Sequence, residues 1–222
     1  MQNLNKDTCL VLDLDDTLYK ELDYQTSGFS YIERKVNELF GKNINGELQR
    51  LKDLGCKDIF LELTRLLSLP ESVKASFLSM YRFHEPKIVL SKENQEFVRY
   101  AKNNFAKVVI LSDGRSISQR LKVYSLNITD FPLYISEEWE SKKPDDLRFR
   151  KIMQKYSCCK TFCYVGDNPK KDFIAPNKLS WTTICLSSDE KNIHSQDLKS
   201  LSSDYYPNFW INSLIELKNV KF

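Results

Sequence analysis

Four continuous apolar runs punctuate the chain: TCLVLDL, KVVILS, FCYVGD and WTTICL. None alternates with polar residues, and Val, Ile and other strand formers are frequent, as in parallel strands covered by helices on both faces. Between most of these runs the apolar spacing lengthens to that of a helix. Phe97, Val98 and Ala101 predict one helix after Ser91. Ile117, Leu121 and Tyr124 predict another, and Ile152 and Tyr156 a third. Strands alternating with helices predict an α/β fold with a Rossmann-like open parallel sheet.

The pattern changes between about Tyr24 and Pro86. Phe29, Ile32, Val36 and Leu39 predict a helix closed by Gly41, and Leu48, Leu51 and Leu54 a second closed by Gly55. Ile59, Leu63 and Leu66 predict a third that ends before Pro70. Val73, Phe77 and Met80 predict a fourth, with Pro70 and Glu71 at its start and Pro86 beyond its end. Four helices without a strand, inserted after the first strand, read as a helical subdomain over residues 23–86, with 1–22 and 87–222 forming the core. The polar stretch Ser187 to Asp204 reads as a surface excursion before NFWINSLIEL, a last strand running into a short helix. No internal repeat interrupts this plan.

Composition narrows the function classes. A chain of 222 residues suffices for one domain with a smaller appendage, and 41% apolar with 28% charged residues excludes a disordered chain. The net charge of +3 is small and its signs are interspersed, so no nucleic-acid partner is expected. MQNLNKDTCL has no signal-segment pattern and no apolar run reaches membrane-spanning length, so no membrane partner and a cytoplasmic setting are expected. Of the six cysteines, Cys9, Cys163 and Cys185 lie inside apolar runs, as buried free thiols do. Cys158, Cys159 and Cys163 fit no paired metal-ligand spacing.

The candidate chemistry lies where the strands end. The first run leads into Asp13, Asp15, Asp16 and Thr17, the second into Ser112, Asp113 and Gly114, and the third into Gly166, Asp167 and Asn168, with Asp172 a turn later. Ligand sites of open α/β sheets lie outside the carboxyl ends of the strands, so parallel strands would bring the three clusters together. Like charges this dense repel, and a cation is the obvious reason to tolerate them.

DLDDT, SDG, KKPD and GDNPKKD, in that order, resemble the four motifs of the haloacid dehalogenase-like superfamily, and the inserted helices resemble that superfamily's cap. The resemblance covers essentially the whole chain. It implies that Asp13 is a nucleophile that forms an aspartyl phosphate, and that Asp15 is general acid and then base, with a pKa raised by its anionic neighbours. It implies a Mg²⁺ ion held by the side chains of Asp13 and Asp167 and the backbone carbonyl of Asp15. Ser112, Asp113 and the amide of Gly114 would cradle phosphate, and Lys143, directly before Pro144, would neutralise both the phosphate and Asp13. Thr17 and Asp172 would support, Asp172 by orienting Lys143 or a metal-bound water. Asp16 would be a structural acid or one in the outer shell of the site, and Lys142, Lys170 and Lys171 solvated. Two residues depart from the pattern: Glu140 stands where members often have glycine, and Asp146 where they often have proline.

Arg82 and His84, in YRFHEP, sit where the cap returns to the core. They read either as substrate-selecting residues or as a plain hinge. Tyr19, Tyr24 and Phe29 read as pocket lining or as cap core. The resemblance implies a Mg²⁺-dependent phosphatase for a small phosphomonoester of the sugar phosphate or nucleotide class. A phosphomutase is the alternative, and a phosphate- or metal-sensing regulator a further one. Asp15 disfavours dehalogenation, because dehalogenases lack that acid. The substrate itself and the oligomeric state carry no signal in the sequence.

Overall fold

The computed structural model describes residues 4–188, 192, 195–199 and 201–220. Among them six parallel strands form one sheet: β1 (Thr8–Leu12), β2 (Lys107–Ser112), β3 (Leu133–Ile135), β4 (Thr161–Gly166), β5 (Thr182–Leu186) and β6 (Phe209–Ile211). Their order is β3-β2-β1-β4-β5-β6. The chain steps outward from β1 to β3 and then returns to lay β4 on the other side of β1. The direction of winding therefore reverses between β1 and β4, the place where such sheets open a ligand crevice. Leu12 lies opposite both Ile110 and Val165, so the residues that follow β1, β2 and β4 emerge along one edge.

The four apolar runs are strands as the pattern predicted. β6 also forms, and a 3-10 turn at Leu214–Lys218 follows it. The three-residue β3 was not predicted, because it offers too short a run to register as periodic. Part of the polar stretch from Ser187 to Asp204 lies outside the described residues.

The sheet is buried on both faces. Leu10, Leu12, Val108, Ile110, Cys163, Val165 and Ile184 pack on one side with Phe97 and Val98 of helix α5 (Lys92–Asn104). The alternate residues Cys9, Val11, Val109, Leu111, Tyr164 and Cys185 pack on the other. There they meet Phe149 and Ile152 of a helix at Leu147–Lys155 and Ala175 of a short one at Ile174–Lys178. The even–odd split of each strand between two apolar layers is why its sequence is continuous rather than alternating.

Helices α1 (Glu21–Phe40), α2 (Glu47–Asp53), α3 (Ile59–Leu66) and α4 (Lys74–Phe83) enclose a separate cluster of Phe29, Ile32, Val36, Leu48, Leu63 and Phe77. Gly41, at φ 63°, closes α1 in the left-handed conformation that glycine adopts at least cost. Buried Glu33 accepts from the amides of Gly46 and Leu48, both at 3.1 Å, and so satisfies the free N–H groups that start α2. The last apolar residue predicted for each of the first three helices faces water instead: Leu39, Leu54 and Leu66 are exposed. These helix ends run past the cluster that the earlier turns bury. Because α1 starts at Glu21, the break expected at 22/23 falls inside its first turn.

Helix α6 (Ser116–Ser125) forms where predicted but faces the other way. Ile117 and Tyr124, two of its three predicted core residues, are 52% and 66% exposed, while Ser118, Gln119, Lys122 and Val123 are buried. Among the described residues three further helices follow, α7 (Ser136–Trp139), α8 (Leu147–Lys155) and α9 (Ile174–Lys178). Among the described residues no helix is long and apolar enough to cross a membrane.

Candidate active site

Asp13 continues β1 by one hydrogen bond, its amide donating to Val165 O at 2.8 Å, and this aims its carboxylate past the sheet edge. Oδ1 accepts from the Leu14 amide at 2.9 Å, and Oδ2 pairs with Lys143 Nζ at 2.8 Å. The same ammonium reaches Asp172 Oδ1 at 2.7 Å and the Tyr164 hydroxyl at 2.9 Å, so all three of its protons have acceptors in a fully buried setting. Asp172 is fixed in turn by the Asn168 amide at 2.8 Å.

Asp167, after β4, completes the group. One carboxylate oxygen from each of Asp13, Asp167 and Asp172 lies within 4.8 Å of the others. Oδ2 of Asp167 is buried with no hydrogen-bond partner among the described residues. Of these three buried carboxylates, Asp13 and Asp172 pair with the Lys143 ammonium. Burial first, and then the charges of Asp172, Asp13 and Asp16, push Asp167 up to about 8. Burial likewise outweighs Lys143 and raises Asp13 to about 6. An all-oxygen donor set with uncompensated negative charge and one unpartnered carboxylate oxygen fits a hard divalent cation such as Mg²⁺.

Asp15 does not share this environment. Lys122 Nζ donates to its Oδ1 at 2.7 Å and Gln119 Nε2 to its Oδ2 at 2.9 Å; the Tyr19 hydroxyl also donates to Oδ1. The expected raised pKa is corrected. Burial does push it up, but the Lys122 charge, with hydrogen bonds from Lys122, Tyr19 and Gln119, brings it below the ordinary carboxylate value. The neighbouring anions are visible in the local sequence; the lysine 107 residues away is not.

Beyond β2, the Ser112 hydroxyl is buried and unpartnered among the described residues, as is that of Thr17. Asp113 and Gly114 do not offer phosphate contacts in the manner expected. The Asp113 carboxylate turns to the Arg148 guanidinium and to the Lys143 amide, the latter at 3.2 Å. The Gly114 amide donates to Ser136 Oγ at 2.9 Å. Fully buried Arg148 also donates to the carbonyls of Ser112 at 2.9 Å and Tyr134 at 3.3 Å, so it braces the end of β2 against the lysine loop. In that loop Glu140 adopts φ 47°, the left-handed conformation that suits the glycine often found there.

His84 is buried just beyond α4. Its Nδ1 lies 2.6 Å from Tyr81 O and its Nε2 3.1 Å from Ser27 Oγ, and the ring packs against Tyr24. Burial lowers its pKa below the ordinary imidazole value. The Arg82 carbonyl accepts from Ser118 Oγ at 2.9 Å. Both ring nitrogens of His84 are thus engaged within the chain, by the Tyr81 carbonyl and the Ser27 hydroxyl. Phe29 lies in the helical cluster, Tyr24 beside Lys122, and Asp16 accepts from the Glu21 amide that opens α1. Sequence reasoning missed Lys122, Gln119, Arg148 and Tyr164. The signal for the first two is a polar stripe along α6, a pattern that ordinarily marks a solvated face.

The family profile for haloacid dehalogenase-like hydrolases matches residues 10–185 of the chain. Among solved structures, a protein described as the HAD-hydrolase YfnB of Bacillus subtilis, bound to magnesium, is 16% identical with a TM-score of 0.65; the match covers 96% of this chain and 97% of that one. A protein described as a β-phosphoglucomutase of Thermotoga maritima gives 15% identity and a TM-score of 0.65 over 96% and 97% of the two chains. A 2-haloacid dehalogenase of Pseudomonas syringae gives 13% and 0.62 over 96% of each. At such identities these likenesses establish the fold alone. No curated protein matches the chain by sequence.

Proposed function

The chain belongs to the haloacid dehalogenase-like hydrolases, and within that family we propose that it is a Mg²⁺-dependent phosphatase acting on a small phosphomonoester. The observation that carries this reading is the pair of carboxylates after β1 in two separate settings. Asp13 belongs to the acidic cluster with Lys143, and Asp15 is held apart by Lys122, Gln119 and Tyr19. Phosphoryl transfer with hydrolysis needs a nucleophile and a second, proton-handling group. Displacement of a halide needs no proton donor for its leaving group, so the second carboxylate favours phosphate chemistry.

In this reading Lys143 and the Leu14 amide fix the Asp13 carboxylate, and one of its oxygens attacks phosphorus to form the aspartyl phosphate. Asp15 lies two residues on along the same extended segment. It gives a proton to the departing oxygen and then takes one from the water that hydrolyses the ester. Because the resting contacts favour its ionised form, Asp15 takes up the proton it donates from solvent before the first step. Ser112 donates its free hydroxyl to a phosphate oxygen. Asp172 and Tyr164 keep Lys143 aligned and protonated, and Arg148 holds Asp113 and the Ser112 carbonyl in register. Asp13, Asp167 and the Asp15 carbonyl would hold Mg²⁺, with Asp172 behind them, and the ion supplies positive charge that lets an anionic nucleophile meet an anionic phosphate.

Helices α1–α4, near residues 23–86, act as a cap that excludes water and chooses the leaving group. Free cysteines suit a reducing cytoplasm. A sugar phosphate or nucleotide fits a capped site better than a protein side chain does. The mutase reading shares the same residues and differs in product. Phosphate release from an aryl phosphate and a panel of sugar phosphates and nucleotides, with Mg²⁺ or chelator, tests the proposal. Metal-dependent release is expected from the panel. Quantitative conversion of a sugar phosphate to an isomer without release would favour the mutase.

A further inference from the structure

Helix α6 has its faces reversed. A helix at a sheet surface ordinarily buries its apolar stripe, and a lysine is costly to bury unless its charge is paired. Here Ile117 and Tyr124 face water while Ser118, Gln119 and Lys122 are inside, Lys122 at 4% exposure. The buried stripe must therefore have a partner worth more than apolar burial, and that partner is Asp15.

Both Asp15 oxygens are occupied from this one helix face, Oδ1 by Lys122 at 2.7 Å and Oδ2 by Gln119 at 2.9 Å. The second amide hydrogen of Gln119 goes to the Asp113 carbonyl at 2.8 Å, so the side chain ties the end of β2 to the acid after β1. Gly114 makes room for it: the backbone there has φ +151°, and any Cβ would collide with the Gln119 amide. On its other side Lys122 reaches the inserted helices, its ammonium 4.2 Å from the centre of the Tyr24 ring on α1. Ser118 Oγ, on the same stripe, donates to the Arg82 carbonyl of α4 at 2.9 Å.

We propose that Gln119 and Lys122 are positioning residues for Asp15, and that Lys122 makes this position depend on the docking of α1 through Tyr24. The inference rests on the phosphatase reading, in which Asp15 moves the proton. With an aryl phosphate the departing oxygen needs little protonation, whereas hydrolysis of the aspartyl phosphate needs Asp15 as base. A misplaced Asp15 therefore slows the second step more than the first.

The test uses the 222-residue chain with Mg²⁺ and 4-nitrophenyl phosphate, comparing Lys122→Met, Asp15→Asn and the double variant with the wild type. Lys122→Met is expected to lower steady-state turnover about tenfold to a hundredfold, part of the roughly hundredfold to ten-thousandfold that general acid–base catalysis contributes. A burst of nitrophenol equal to the enzyme concentration should precede the slow phase. In the Asp15→Asn background the same substitution should cost less than about twofold, because the group it serves is gone. Lys122→Arg should restore part of the loss. Gln119→Leu, read in the same cycle, keeps the question answerable if Lys122→Met does not fold. Effects that multiply fully with Asp15→Asn, or a burst lost in proportion to turnover, would overturn the positioning role while leaving the phosphatase reading intact. A wild type that releases no phosphate with any substrate would overturn the phosphatase reading first, and this inference with it.

Discussion

Replacing Asp167 by Asn should stabilise the metal-free protein at alkaline pH and remove its response to Mg²⁺. Asp167 is pushed up to about 8 by burial, assisted by the charges of Asp172, Asp13 and Asp16. A carboxyl with a raised folded-state pKa binds its proton more tightly in the native than in the unfolded chain. Its contribution to stability is therefore complete below the ordinary carboxylate pKa of 3.8 and drains away as pH rises toward about 8. Between about pH 5 and about pH 8 the slope of about 1.36 kcal/mol per unit gives a ceiling of about 4 kcal/mol for this one group. For a domain of this size that corresponds to a fall in Tm on the order of 10 °C. Asp13, raised to about 6, and Glu21, raised to about 7, drain in the same direction and are common to both proteins. The difference between wild type and Asp167→Asn reports Asp167 together with its coupling to Asp13 and Asp172. Thermal melts followed by circular dichroism, in chelator, should show the wild type losing Tm across this window and the variant losing several degrees less. Mg²⁺ at a hundred times its dissociation constant adds about 2.7 kcal/mol to a protein that binds it only when folded. The wild type should therefore recover Tm at pH 8 while the variant gains little. A wild-type Tm that is flat or rises from pH 5 to pH 8, or a variant that melts lower than wild type at pH 8 without metal, would refute the reasoning.

Lys143→Met leaves the buried carboxylates Asp13 and Asp172 without their cation, and should cost about 3–5 kcal/mol in urea unfolding together with all turnover. Gly114→Ala places a methyl against the Gln119 amide at a backbone conformation unsuited to alanine. It should lower kcat more than it raises KM, at a stability cost of about 1–3 kcal/mol. His84→Leu removes two hydrogen bonds, to the Ser27 hydroxyl and the Tyr81 carbonyl, which keep the Lys87 amide and the Tyr24 hydroxyl as partners, so it should cost about 1–3 kcal/mol of stability while leaving the order of preferred substrates unchanged. A changed preference order would return His84 to the substrate.

The fold was legible because burial on both faces writes itself into the sequence as unbroken apolar runs, and because helix stops such as Gly41 and Gly55 are local. β3 escaped because three residues carry no period. The carboxylates at the strand ends were legible as a site from position alone. Their partners were not: a lysine on a helix reads as solvated until a contact more than a hundred residues away turns it inward, as Asp15 does to Lys122. The same long-range contact reversed the sense of the Asp15 pKa, which local charges alone had pointed upward. Gly114 shows a finer limit. The motif places it at the site, but its amide is spent on Ser136, and its lack of a side chain serves Gln119.

The central claim is a covalent phosphoryl intermediate on Asp13. The most direct measurement is rapid acid quench of the chain during turnover of 4-nitrophenyl phosphate with Mg²⁺, whose leaving group needs little protonation, followed by proteolysis and mass spectrometry. A phosphoryl group is expected on the peptide that carries Asp13, more abundant in Asp15→Asn, where hydrolysis is slowed, and absent in Asp13→Asn. Phosphate release with no label on that peptide, even in Asp15→Asn, would contradict the account.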